Sequence, residues 1–348
     1  MAPTTTGSDR VIYRAPREVT IERMDAPPPL EPGEVLVRVE ACAICGTDIK
    51  SFHKGNPRIR PPMTMGHEFV GTVEAVAEGA AQRLGARVTM ATTIGCGECR
   101  YCRAGRPNLC RAAQCMGFHY PGAMAPWIVI PACAVRLGHL VEVGDLEAGV
   151  AALSEPLSCA VNGLSRVPMA EVETLLVLGL GPLGFLHALA ARARGVKRIV
   201  CSEFPGARST LAREFGFEVV PPGELDSAYL ALSQGEGFDL VVVTAPHNPT
   251  QAKSPKYARK GGYVSFFASL PPDDEILALS SRTIHYGELI IFGTSDHTPA
   301  FVREAVQLLR GDPATFGRLI THRLSTGDFH QAMDEIARGN AVKVVLSP

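Results

Sequence analysis

The chain lacks any imbalance of charge: 34 Lys and Arg stand against 35 Asp and Glu, for a formal net charge of -1 and a pI near 6.8. With no basic field and no polybasic stretch, it has little to hold nucleic-acid phosphates or an anionic membrane surface. Nor does it have an apolar run long enough to span a bilayer, because the longest, residues 175–191, is broken by Gly179, Gly181, Pro182, Gly184 and His187. That segment reads instead as a buried strand running into a helix. The opening MAPTTTGSDR shows neither the basic nor the apolar region of a secretory signal, so the ten cysteines are expected in a reducing, cytoplasmic setting and not in disulfides. There is no internal repeat and no low-complexity segment beyond Pro27 to Pro29. These absences leave small molecules, and copies of the chain itself, as the expected partners.

What is present is a large apolar content. With 348 residues, 46% of them hydrophobic and 20% charged, the chain can bury two cores. Up to about residue 150 it reads as short alternating strands such as 34–40 (EVLVRVE) and 69–76 (FVGTVEAV), separated by glycine and proline turns. From about 173 the pattern becomes continuous apolar strands, at 174–178, 198–201, 239–244 and 262–267, with helical stretches between them. This predicts an α/β chain: a β-rich part, then a doubly wound parallel sheet. Amphipathic helices are expected near 300–310 and 327–338, and a last strand at 343–346 that returns to the first domain.

Two motifs carry chemistry directly. The segment CGECRYCRAGRPNLC sets Cys96, Cys99, Cys102 and Cys110 in a C-x2-C-x2-C-x7-C array, with Gly95, Gly97 and Gly105 at its turns. Four thiolates closing a tetrahedral shell is the pattern of structural zinc. An iron–sulfur cluster would instead want the fourth cysteine after three residues, followed by proline, whereas Arg111 follows here. The second motif, VLGLGPLG, places Gly179, Gly181 and Gly184 between a strand and a helix, with Pro182 and Leu183 opening that helix. The first glycine suits the turn, the second the approach of a pyrophosphate, and the third the packing of helix on strand. Glu203 closes the next strand 24 residues after Gly179, where a carboxylate accepts from both ribose hydroxyls and repels a 2′-phosphate. This favours NAD(H) over NADP(H). Arg208 opposes that preference, since a guanidinium suits either adenine or the phosphate.

Further clusters, CAICGTD around Cys42 and Cys45, GHEF around His67 and Glu68, and SEPLS around Glu155, hold the ligand types of an open zinc site. Each also reads as ordinary structure: small buried cysteines, a core histidine, a charge at a helix start. In their order along nearly the whole chain, however, GHEFVGTVEAV, CAICGTD, the cysteine array, SEPLSCAV and VLGLGPLG resemble zinc-dependent medium-chain alcohol dehydrogenases. Glutamate in SEPLS makes the likeness strongest to the sorbitol, threonine and polyol branch. That resemblance implies a GroES-like catalytic domain over 1–160, completed by 295–348, and a Rossmann domain over 161–294. It implies two Zn2+ per chain and NAD(H): Cys45, His67, Glu68 and Glu155 at the catalytic zinc, and Cys96, Cys99, Cys102 and Cys110 at the structural one. Thr47 is implied as the hydroxyl that passes on the substrate proton, and Asp48 as the group orienting His67. Glu68 and Lys50 are implied as further catalytic groups. Lys50 stands where many relatives carry a histidine, and Gly85-Ala86-Arg87-Val88 replaces the usual Gly-Asp-Arg-Val. The implied reaction oxidises a secondary alcohol of polyol, sugar or cyclitol type to a ketone, or an amino alcohol in a threonine-like case. The implied assembly is a homodimer or homotetramer. A zinc-free reductase lacks these ligands, and a zinc-ribbon nucleic-acid module conflicts with the near-neutral charge. The loops 51–60 and 118–123 are expected to shape the substrate pocket.

Overall fold

Apolar runs bounded by glycine and proline build two compact units, one of residues up to 158 with 296–348 and one of Cys159–Ser295. The computed structural model describes residues 8–339 and 341–348; the first seven residues of the polar N-terminal stretch lie outside the described residues. Among the described residues no helix is long and apolar enough to cross a membrane.

In Cys159–Ser295 six strands pair in parallel, in the spatial order Glu218–Val220, Arg198–Ser202, Thr174–Leu178, Phe238–Val243, Ala258–Phe266, Ile290–Gly293. Numbered along the chain this is 3-2-1-4-5-6, the doubly wound order of a dinucleotide-binding sheet. Leu176, Val200, Val241 and Val264 carry its core, as continuous β-branched and leucine runs buried on both faces require. Three strands differ from the sequence expectation, among them the short Glu218–Val220, which was not expected. Ala258–Phe266 starts four residues before 262, by way of an irregular stretch in which the register against Phe238–Val243 shifts and Gly261 takes φ +69, while Arg259 pairs with Asp239. Ile290–Gly293 was not anticipated at all; its half-exposed residues give no alternating signal.

The other unit is β-rich. Its main sheet runs Leu140–Glu142, Arg87–Met90, Glu68–Val76, Val35–Ala43, Lys343–Ser347, Ile320–Ser325, with Trp127–Ile130 also on Val35–Ala43. The late strand Lys343–Ser347 thus inserts beside one of the earliest, Val345 opposite Ala43. Helices Pro299–Gly311 and Phe329–Ala337 bury their apolar stripes against this unit. Arg87 anchors the sheet edge: it pairs with Glu40 and donates to the carbonyls of Gly144 and Leu146, both at 2.7 Å. The turn that lacks a carboxylate at Ala86 is held by backbone hydrogen bonds, Gly85 N–H to the Val73 carbonyl at 2.8 Å and Ala86 N–H to the Arg83 carbonyl at 3.1 Å, with Ala86 fully buried.

Candidate active site

Strand register brings the central cluster together. The strand Val35–Ala43 ends two residues before Cys45, which caps the helix Gly46–Lys54; the Asp48 carboxylate accepts the Cys45 backbone N–H at 2.9 Å and fixes that turn. On one side Glu68 pairs opposite Ala43, directly after His67. On the other, the pairing of Val345 with Ala43 carries Lys343 to the level of Cys45. The ligand atoms of Cys45, His67 and Glu68 all lie within 4.8 Å of one another. Gly66, at φ +92, makes the approach possible: a Cβ there would sit 2.6 Å from the Cys42 sulfur and the Met124 side chain. That contact explains Cys42, a buried strand residue packed under the turn.

The electrostatics are those of an acid cluster in need of a cation. Cys45 is pushed well above the ordinary thiol range, first by burial and then by Glu68. Burial pushes Glu155 up to about 8. His67 is also buried, which opposes its protonation, but Asp48, Glu155 and Glu68 outweigh this and raise its pKa. Its Nδ1 has no hydrogen-bond partner and lies 4.0 Å from Asp48 Oδ1. One basic side chain sits among them: Lys343, 3% exposed, pairs with Glu68 and donates to the Ile44 carbonyl at 3.0 Å. Burial leaves Cys45 and Glu155 holding their protons, and a single ammonium would not neutralise the set once they ionise, so this donor set suits a dication.

Glu155 opens the helix Ser154–Leu164 and bears electrostatically on Cys45 and His67, but it is not one of the tight trio. Its carboxylate Oε1 lies 3.3 Å from His297 Nδ1. Thr47 Oγ1 is 2.9 Å from the Cys45 sulfur. Lys50 is exposed further along the same helix, and of the loop expected at 51–60, Ser51–Lys54 belongs to that helix. The Phe118 ring lies 5.5 Å from that of His67, tilted by 53°, and the Arg58 guanidinium lies over Phe118 at 4.8 Å. Lys343 and His297 escaped sequence reasoning. A lone lysine in the apolar run AVKVVL is a signal for the first; nothing local marks the second.

The cysteine array folds as a separate knob. Cys96, Cys99, Cys102 and Cys110 bring their sulfurs within 4.8 Å of one another, and all are free thiols. Backbone N–H groups of Glu98 and Cys99 donate to the Cys96 sulfur at 3.4 and 3.3 Å and lower its pKa to about 6. Gly95 is required by space, since a Cβ there would lie 2.6 Å from the Cys102 sulfur.

The glycine loop lines a cavity of about 630 Å³ with Glu203, Phe204, Arg208 and Thr244. Each glycine has its own geometry. Gly179 sits at φ +97; a Cβ on Gly181 would meet nothing within 4 Å; one on Gly184 would lie 2.1 Å from the Gly179 carbonyl. The space left over Gly181 lies at the start of the helix Pro182–Ala193, where a pyrophosphate is stabilised. Leu183 serves that helix by its carbonyl, which accepts from His187 Nδ1 at 2.7 Å. Glu203 accepts from the Leu180 N–H at 2.6 Å and the Phe204 N–H at 2.9 Å, so it braces the loop as well as facing the cavity.

Residues 31–139 match the alcohol dehydrogenase GroES-like domain, and residues 182–311 match the zinc-binding dehydrogenase domain. The chain is 33% identical to D-altritol 5-dehydrogenase of Agrobacterium fabrum, over 85% of this chain and 86% of that one. It is 29% identical to L-threonine 3-dehydrogenase of Rhizobium etli, over 97% and 98%. Among solved structures, a zinc-binding dehydrogenase of Sinorhizobium meliloti bound to NADP superposes with a TM-score of 0.89 at 29% identity, over 99% of this chain and 100% of that one. Domain matches in both units and a relative one-third identical over most of its length place this chain in the zinc-binding, medium-chain alcohol dehydrogenase family.

Proposed function

We propose that the chain is an NAD-dependent zinc dehydrogenase interconverting a secondary alcohol, of polyol, sugar or cyclitol type, and its ketone. The observation that carries this is the convergence of Cys45, His67 and Glu68, with buried Glu155 bearing on them, around a single ammonium. Zinc held there by Cys45, His67 and Glu155, with Glu68 as an exchanging ligand, would act as a Lewis acid on the substrate hydroxyl, while a nicotinamide over the glycine loop would accept the hydride. A second zinc in the knob is structural. The chain's own residues do the rest. The Thr47 hydroxyl, beside the Cys45 sulfur, accepts the substrate proton and passes it outward. Lys50 is an ammonium that donates but does not accept, so its part is to orient the oxygen that receives the proton. Asp48, 4.0 Å from His67 Nδ1, acts on His67 through its charge, and the Phe118 ring packs beside it. The polar Arg58 beyond Phe118 suits a substrate with several hydroxyls more than a simple alcohol.

Glu203 at the ribose position supports NAD over NADP. The chain works as a homodimer or homotetramer, supported by the edge strand Ile290–Gly293, which pairs on one side only and leaves Ile290 half exposed. The test is a panel of polyols, cyclitols, simple alcohols and threonine, scored for NADH and NADPH formation, with zinc counted per chain. Reduction of NAD+ by a polyol at two zinc per chain is expected, with the NAD+ preference narrowed in Glu203→Ala. Activity confined to threonine moves the reading to an amino alcohol, and preference for NADP+ assigns the pocket to Arg208.

A further inference from the structure

Outside the residues the family resemblance supplies, His297 is held on both ring nitrogens beside Glu155. It is 1% exposed and lies between the buried Thr92 backbone and the buried Glu155 carboxylate. The Thr92 N–H donates to His297 Nε2 at 3.0 Å. A backbone amide has only a hydrogen to offer, so Nε2 must present its lone pair, and the ring proton is left on Nδ1. Nδ1 lies 3.3 Å from Glu155 Oε1 and donates there. No substitution at Thr92 other than proline removes the group that sets this tautomer. The placement is rigid on both sides. Asp296 holds a left-handed φ of 56, and Thr298 caps the helix Pro299–Gly311 by accepting the Phe301 N–H.

We propose that His297 is a positioning residue: its tautomer, fixed by the Thr92 amide, holds one oxygen of Glu155 and leaves the other directed at the metal. This rests on reading Glu155 as a zinc ligand. A hydrogen bond from a neutral imidazole to a ligating carboxylate fixes its rotamer, and loss of such a partner typically costs 10–100-fold in metal affinity or activity.

Two substitutions divide the histidine into its two contacts. His297→Gln puts an amide oxygen where Nε2 accepts from Thr92 but removes the donor to Glu155; His297→Asn keeps a donor near Nδ1 but leaves Thr92 unmatched. Each purified holoenzyme is titrated with dipicolinate to follow release of its first zinc equivalent, its cobalt-substituted form is scanned in the visible, and its melting is recorded. His297→Gln is expected to lose roughly 10–100-fold in zinc affinity and to shift the cobalt bands while melting close to wild type. His297→Asn is expected to keep wild-type bands and affinity within a few-fold. The proposal is overturned if His297→Gln keeps both, or if the two variants lose affinity equally and in step with melting. Glu155→Gln separates the two levels. Wild-type zinc affinity there removes Glu155 as a ligand, and with it the underlying reading. Weakened affinity there with none in His297→Gln removes the proposal alone.

Discussion

Lys343 is the residue on which the electrostatics of the site turn. It is held charged against its own burial by Glu68, Cys45 and Glu155. Lys343→Met keeps most of the stem volume but leaves Glu68 buried beside other acids without its ammonium. Breaking a buried pair from one side costs about 3–5 kcal/mol, and that is the loss expected for metal-free protein in denaturant melts. Zinc-loaded protein should lose less, because the ion then supplies the missing positive charge. An equal loss in both forms would show that the ion and Lys343 do not share the same acids. The cysteine, histidine and glutamate of this site are legible in sequence because each lies in a short motif. Lys343 was marked only as a lysine in an apolar strand. Its partner follows from the pairing of Val345 with Ala43, and register between distant strands leaves no local pattern.

At the scale of elements, the meeting of the four cysteines was legible from their spacing, and the glycine loop from its spacing together with its setting between a strand and a helix. The strands of the parallel sheet were legible where a long apolar run was continuous, and not at Glu218–Val220, which is only three residues long, nor at Ile290–Gly293, where half the positions are exposed. The loop makes a sharp prediction. Gly181→Ala adds a methyl into open space and should leave melting unchanged while weakening NADH binding at least ~10-fold, because the methyl occupies the approach of the pyrophosphate. Gly184→Ala drives a methyl into the Gly179 carbonyl and should destabilise the unit by roughly 1–3 kcal/mol. Fluorescence titration and melting on the two proteins check this. The knob contrasts with the open cluster. Cys99→Ser or Cys102→Ser should lower the melting temperature or solubility, since closed zinc sites contribute folding free energy. Cys45→Ser or Glu155→Ala should cut turnover at least ~100-fold while NADH still binds, because the glycine loop belongs to Cys159–Ser295.

For the whole molecule, stability should fall on mild acidification for a reason that does not involve the metal-ligand residues. His187 is fully buried in the helix after the glycine loop, and burial lowers its pKa from 6.5 to about 4. Between those values the unfolded chain carries a proton that the folded one lacks. Stability is therefore retained above about pH 6.5 and lost as the pH drops toward 4, by at most about 1.4 kcal/mol per unit. His187→Leu should flatten this limb of the stability–pH curve; an unchanged slope would assign it to other groups.

The pairing of Lys343–Ser347 with Val35–Ala43 also sets an order of events during synthesis. Cys159–Ser295 is continuous in sequence and can fold as soon as it leaves the ribosome, whereas the first unit waits for a strand made after all of it. Until then Cys45, His67 and Glu68 are present without the ammonium that partners Glu68, and Cys42 and Ala43 lack their partners in Lys343–Ser347. A nascent chain stalled before residue 343 should thus be protease-resistant over Cys159–Ser295 and sensitive over residues 8–158. Completion of the charge balance around Glu68 becomes a late event of biosynthesis, timed by the arrival of one strand.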